Sequence, residues 1–156
     1  MTQGPRRPRK LRVGNDANRL ADVRAFVREQ VADLGGSPRT VDDLVQAVDE
    51  AACNVMVHGY GKAPGAIEIE ASRVGGTIQI RLLDRSTPFD PTAAPLRDVH
   101  ATPPTPKRPG GMGVGIELLR AMTDEVRHHV RPDGGNELTL VRSIDGPATD
   151  GPAEEG

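Results

Sequence analysis

"AIEIEASRVGGTIQIRLLDRS", residues 66–86, decides the fold. Ile67, Ile69 and Ala71 alternate with Glu68 and Glu70, and Ile78 and Ile80 alternate with Gln79 and Arg81. A period of two marks strands with one buried face, and Gly75-Gly76 supplies a tight turn. Two strands joined so closely must pair antiparallel. Further on, "RHHVRPDGGNELTLVRSI", residues 127–144, repeats the device around Asp133-Gly134-Gly135. Upstream the period changes. Leu20, Val23, Phe26, Val27, Val31 and Leu34 recur at helical spacing, and Gly35-Gly36 closes the run. Asp16 or Asn18 is a fitting cap for that helix. Val41, Leu44, Val45, Val48, Ala52 and Val55 form the stripe of a second helix, with Thr40 and Asp43 close to a capping box and Gly59 and Gly61 at its end. "KLRVGND" reads as a short strand before both. The order is β-α-α-β-β-loop-α-β-β. It predicts an α+β, two-layer sandwich with a mixed, mostly antiparallel sheet and the helices on one face.

The chain of 156 residues is enough for one domain with one core. A net charge of −2 argues neither for direct nucleic-acid binding nor for an anionic membrane. No apolar run approaches the roughly 18 residues of a membrane span. The single cysteine, Cys53, excludes an internal disulfide and a multi-cysteine zinc cluster; it reads as a core residue and fits a reducing compartment. Residues 1–10 read as a disordered basic tail and 145–156 as a disordered acidic one, leaving 11–144 as the domain. Residues 88–109 are proline-rich without apolar period and read as a long mobile loop.

Three features carry chemistry. Glu50 and Asn54 lie one helical turn apart, so they project from one face, either as a site rim or as two solvated polar groups. Asp84 directly follows an apolar strand, where it can accept from an amine-bearing ligand or serve as an ordinary turn residue. "GGMGVG", residues 110–115, stands at a helix start. Such a run is a flexible loop or a phosphate cradle, because bare backbone N–H groups and the positive helix end favour anions. His58 reads as a helix-end residue meeting carbonyls, and His128 and His129 have no carboxylate pattern that would make them metal ligands.

In this order, with a long loop before the glycines, the three features resemble the GHKL (histidine kinase-like) ATPase superfamily, which includes gyrase and histidine kinases. Within it the chain looks most like the anti-sigma factor serine/threonine kinases. Glu50-Ala51-Ala52-Cys53-Asn54 fits the E-x-x-x-N helix motif, and "VHGYG" follows it as in that branch. Asp84-Arg85-Ser86 fits the D-x-G box except at Ser86, where the family has glycine. "GGMGVG" fits the second glycine box and "NELTLV" the strand closing the adenine pocket.

The resemblance covers roughly residues 10–144 and implies a Bergerat-type ATP-binding fold. It implies Asn54 as the Mg²⁺ ligand, Glu50 as general base, and Asp84 as acceptor for the adenine amine, with Thr139 in support. Ser86 would crowd the base. Gly110, Gly111, Gly113 and Gly115, with Met112 and Val114 between them, would close on the phosphates of ATP, with the helix beginning near Gly115. Residues 88–109 would be the ATP lid, on which Lys107 or Arg108 reaches the γ-phosphate or remains a solvated cation. The implied activity is phosphorylation of an anti-anti-sigma protein and sequestration of a sigma factor, in the cytoplasm, with a homodimer compatible. The competing function is a nucleotide-binding module that acts by sequestration alone. A detached histidine-kinase catalytic domain is disfavoured, because no helical segment with a phospho-acceptor histidine precedes the domain.

Overall fold

A computed structural model describes residues 9–88 and 112–145. The expected lid cations Lys107 and Arg108, Gly110, Gly111, and nearly all of both tails and the lid lie outside the described residues. Strand β1 (Arg9–Gly14) is followed by a 3-10 turn (Ala17–Arg19) and by helices α1 (Leu20–Asp33) and α2 (Pro38–Asn54). A π-helical turn (Val55–Tyr60) prolongs α2. Then come β2 (Ala66–Val74), β3 (Thr77–Asp84), α3 (Met112–Met122), β4 (Glu125–Val130) and β5 (Asn136–Ser143). Among the described residues five strands form one sheet in the order β1-β2-β3-β5-β4, and all four pairings are antiparallel, so the sheet is not the mixed one expected.

The alternation read from residues 66–86 is the alternation seen. Ile67, Ile69, Ala71, Ile78, Ile80 and Leu82 are buried in one core with Val23, Val27 and Val31 of α1 and Leu44 and Val48 of α2. The opposite sheet face carries charge: Arg81 bridges Glu70 and Glu137, and Arg12 meets Glu68. One face therefore takes the helices and the other is laced with ion pairs, which is the two-layer α+β arrangement the sequence predicts.

Four local expectations are corrected. The cap of α2 is Ser37, whose hydroxyl accepts from Thr40 N at 3.2 Å, with Pro38 in the first helical turn. Pro38 has no N–H to satisfy, so the chain turns helical there rather than at Thr40. Helix α3 is already formed at Met112, three residues before Gly115. Strand β1 starts at Arg9, paired with Ala71, so the expected tail loses its last two residues to the sheet. Cys53 is only partly buried and faces the charges of Glu50 and Asp49; burial, then those carboxylates, push its thiol pKa up.

Candidate functional site

Helix α2 carries Glu50 and Asn54 near its end, and Asn54 shares a cavity with Asp84 at the end of β3 and Asn136 at the start of β5. Asn54 is 6% exposed, and its Oδ1 is buried without a hydrogen-bond partner among the described residues. The Asn54 amide N–H donates to the Glu50 carboxylate. Glu50 is half-buried and its pKa is raised: loss of water is the main cause, the Asn54 hydrogen bond opposes it, and the charge of Asp49 adds to it.

Asp84 ends β3 on the helix-facing side and is 2% exposed. Its Oδ1 accepts from Ser86 N at 2.8 Å, Ser86 Oγ at 2.7 Å and Asn136 Nδ2 at 3.0 Å. The strand end is held from behind. Tyr60 Oη accepts from Arg85 N and donates to Ala66 O, each at 2.8 Å. Arg131 donates to Asp84 O at 3.1 Å. Gly135 has φ +97°, and a Cβ there would sit 2.2 Å from Asp84 O, so only glycine fits both the turn and the approach. At Gly59 a Cβ would meet Ser86 Oγ at 2.4 Å, so the π-helical turn lies directly on Ser86.

A cavity opens between these elements, lined by Asn54, Gly59, Asp84, Leu119, His128 and Asn136 among others. It encloses about 30 Å³, room for a water or two and not for a nucleobase without movement of Ser86 or α3. Apolar walls with a few converging polar groups are what a small-molecule site presents. The described residues hold no group of three or more His, Cys, Asp or Glu that could bind a metal by themselves. A lone amide oxygen fits a different chemistry: a Mg²⁺ ion that keeps its waters and takes most other ligands from phosphate.

The structure thus brings Asn54, Asp84 and Ser86 to one cavity, while Glu50 lies one turn back on α2 beside Asn54 and is not among the residues lining it. Thr139 stands apart. It pairs with Arg81 and Arg127 on the outer face, since an odd offset from Asn136 reverses the side-chain direction. The partner of Asp84 is Asn136, opposite it in register. Alternation from Leu138 and Leu140, both inward, would have found it. Gly113 and Gly115, with Met112 and Val114, lie in α3, at the start of its described residues. His58 is exposed at the π-helical turn.

A family model, the histidine kinase-like ATPase domain, matches residues 13–142. The chain belongs to that family. Membership in this ATPase family implies an ATP-binding site. Among individual relatives, the chain is similar to the anti-sigma F factor of Thermoanaerobacter sp. (strain X514), 28% identical over 122 residues that cover 78% of this chain and 83% of the relative. It is also similar to the anti-sigma F factor of Anoxybacillus flavithermus (strain DSM 21510 / WK1), 23% identical over 123 residues, 78% of this chain and 82% of that one. A solved structure of the RsbU and RsbW domains of a Mycobacterium tuberculosis protein matches 91% of this ATPase-family chain with a TM-score of 0.62 and 22% identity. That likeness is one of fold, and this chain spans 33% of the length of that one. No helix among the described residues is long and apolar enough to cross a membrane.

Proposed function

We propose that this histidine kinase-like ATPase domain is an anti-sigma serine/threonine kinase acting in the cytoplasm. It binds Mg-ATP, phosphorylates an anti-anti-sigma protein, and holds a sigma factor inactive when that protein is unavailable. The observation that carries the reading is the buried, unpartnered Oδ1 of Asn54 one helical turn from a half-buried carboxylate. An orphaned acceptor is costly unless something binds it, and Mg²⁺ is a fitting occupant. Bound there, the ion supplies charge neutralisation at the phosphates.

The rest falls to the chain's own groups. Glu50 accepts the proton of the seryl or threonyl hydroxyl as its oxygen bonds to the γ-phosphorus. The bond from that phosphorus to the β–γ bridging oxygen breaks, and ADP leaves. A carboxylate with raised pKa is a better base near neutral pH than an exposed one. Asp84 accepts from the adenine amine. Gly113 and Gly115 keep side chains away from the phosphates at the start of α3, and Gly110 and Gly111 extend that cradle. Lys107 or Arg108 adds a cation to the lid.

The test is incubation of the purified chain with γ-labelled ATP and a candidate anti-anti-sigma protein. Label on a serine or threonine of the partner is the expected result. Nucleotide binding with no transfer to any candidate would favour the second reading, sequestration without catalysis. That reading draws on one feature: Ser86 adds a hydroxyl to an already filled Asp84 Oδ1 and narrows the cavity.

A further inference from the structure

Asn136 stands in the middle of a buried polar chain. Its Nδ2 reaches Asp84 Oδ1 at 3.0 Å, Ser86 Oγ at 3.3 Å and Thr87 O at 3.2 Å. Its Oδ1 faces His128 Nε2 at 2.8 Å. A carboxamide has one accepting end and one donating end, and a half-turn exchanges them. Here the acceptors gather on one side and the imidazole stands on the other. The imidazole must donate, since Asn136 Oδ1 can only accept. His128 therefore fixes which way the amide points. The amide in turn joins Ser86 N and Ser86 Oγ on Asp84 Oδ1, which receives three donors. No hydrogen bond engages Asp84 Oδ2 among the described residues, although Asp84, Asn136 and His128 all line the cavity.

We propose that His128 and Asn136 are positioning residues that set the base selectivity of this site. By filling Asp84 Oδ1 they leave Oδ2 as the acceptor offered to the cavity, and so favour a base carrying an exocyclic amine. The inference rests on the reading that a nucleotide binds here. A 6-oxo purine places an acceptor against that acceptor, leaving a buried carboxylate oxygen unpaired, and is rejected. Without the imidazole donor the amide is held from its Nδ2 end alone, and the carboxylate that it sets loses the second point of that support.

The experiment compares the binding of Mg-ATP and Mg-ITP to the parent, His128→Leu, His128→Gln and Asn136→Leu. ITP differs by replacing the amine with an oxo group, so the ATP/ITP affinity ratio reports selectivity separately from general damage. The parent should prefer ATP by about a hundredfold or more. His128→Leu and Asn136→Leu should each lower that ratio by roughly tenfold, the scale of one lost hydrogen bond. His128→Gln carries an amide N–H on a side chain of similar reach and should restore most of it. Equal weakening of both nucleotides in His128→Leu, or no recovery in His128→Gln, would overturn the proposal. A parent that binds ATP but does not distinguish it from ITP also overturns it, while leaving the nucleotide site intact. A parent that binds neither overturns the nucleotide reading, and the inference with it.

Discussion

Glu50 is held where burial and chemistry oppose one another. Its folded pKa lies above the usual glutamate range because water is withdrawn from it, so the ionised form costs stability. For a raised carboxyl the stabilising contribution is full below the unfolded pKa and is lost as pH rises through the folded one. Glu50→Gln removes that loss. The variant should melt higher than the parent at neutral pH, and the gap should close below about pH 4, where Glu50 of the parent is protonated in both the folded and the unfolded state. Thermal unfolding across that range checks it; a gap that persists in acid places its origin elsewhere. On the proposed role of Glu50 as general base, the same variant should lose phosphoryl transfer by roughly 10²–10⁴-fold with nucleotide affinity nearly unchanged. Ser86→Gly tests the other end of the cavity. It removes the hydroxyl that lies against Gly59, and should tighten Mg-ATP binding in a titration; weaker binding would show that the hydroxyl helps to hold Asp84 for the base. The places of Glu50 and Asn54 one turn apart on a helix, and of Asp84 at a strand end, were legible because both are local patterns. Asn136 was passed over for Thr139, although strand parity alone separates them.

Among the elements, the π-helical turn Val55–Tyr60 does what the sequence pattern did not foresee. The stripe from Val41 to Val55 has a regular helical period, so the helix was legible to Gly59. The wider turn that follows has no periodic signature in six residues, and it is what lays Gly59 on Ser86 and aims Tyr60 at β3. The Ser37 cap was obscured because Thr40 and Asp43 mimic a capping box, and Pro38 was the better signal. The hairpins, by contrast, were plain, since alternation and paired glycines are both local. Tyr60→Phe isolates the element's contribution. It deletes the two hydrogen bonds that fasten Arg85 and Ala66, a loss of about 1–3 kcal/mol for two partly exposed bonds. Thermal unfolding should show a modest decrease. Nucleotide titration should show several-fold weaker binding, because Asp84 sits beside the released amide. Unchanged affinity with lowered stability would confine Tyr60 to a structural role.

Across the whole molecule, helix α2 is anchored at one end and carries candidate site residues at the other. Near its start, Thr40 Oγ1 donates to Ser143 O at 2.9 Å, and Ser37 N donates to Ile144 O at 2.7 Å. One turn on, Asp43 receives the guanidinium of Arg142, which is 2% exposed on the inner face of β5. Eleven residues on, about 16 Å along the helix, stands Asn54. Arg142 occupies an inward strand position where Leu138 and Leu140 precede it, and nothing local in the sequence explains a cation there. Its partner lies 99 residues away, and such pairings are invisible to periodicity. Breaking the pair is the sharpest test of this division. Asp43→Ala leaves a buried guanidinium without its countercharge and should cost about 3–5 kcal/mol, read as a lower denaturation midpoint. Replacing both partners, Asp43→Ala with Arg142→Met, removes the stranded charge and should recover most of the loss, because apolar substitutes spare the desolvation of two ions. Measured where all variants remain folded, Mg-ATP affinity should stay near the parental value, since the site is held by Tyr60, Arg131 and Asn136 at the far end of the sheet. A double variant as unstable as the single would locate the cost in lost helix–sheet packing. A fall in affinity that tracks stability would mean that α2 moves as one rigid body, and that its anchor is part of the site.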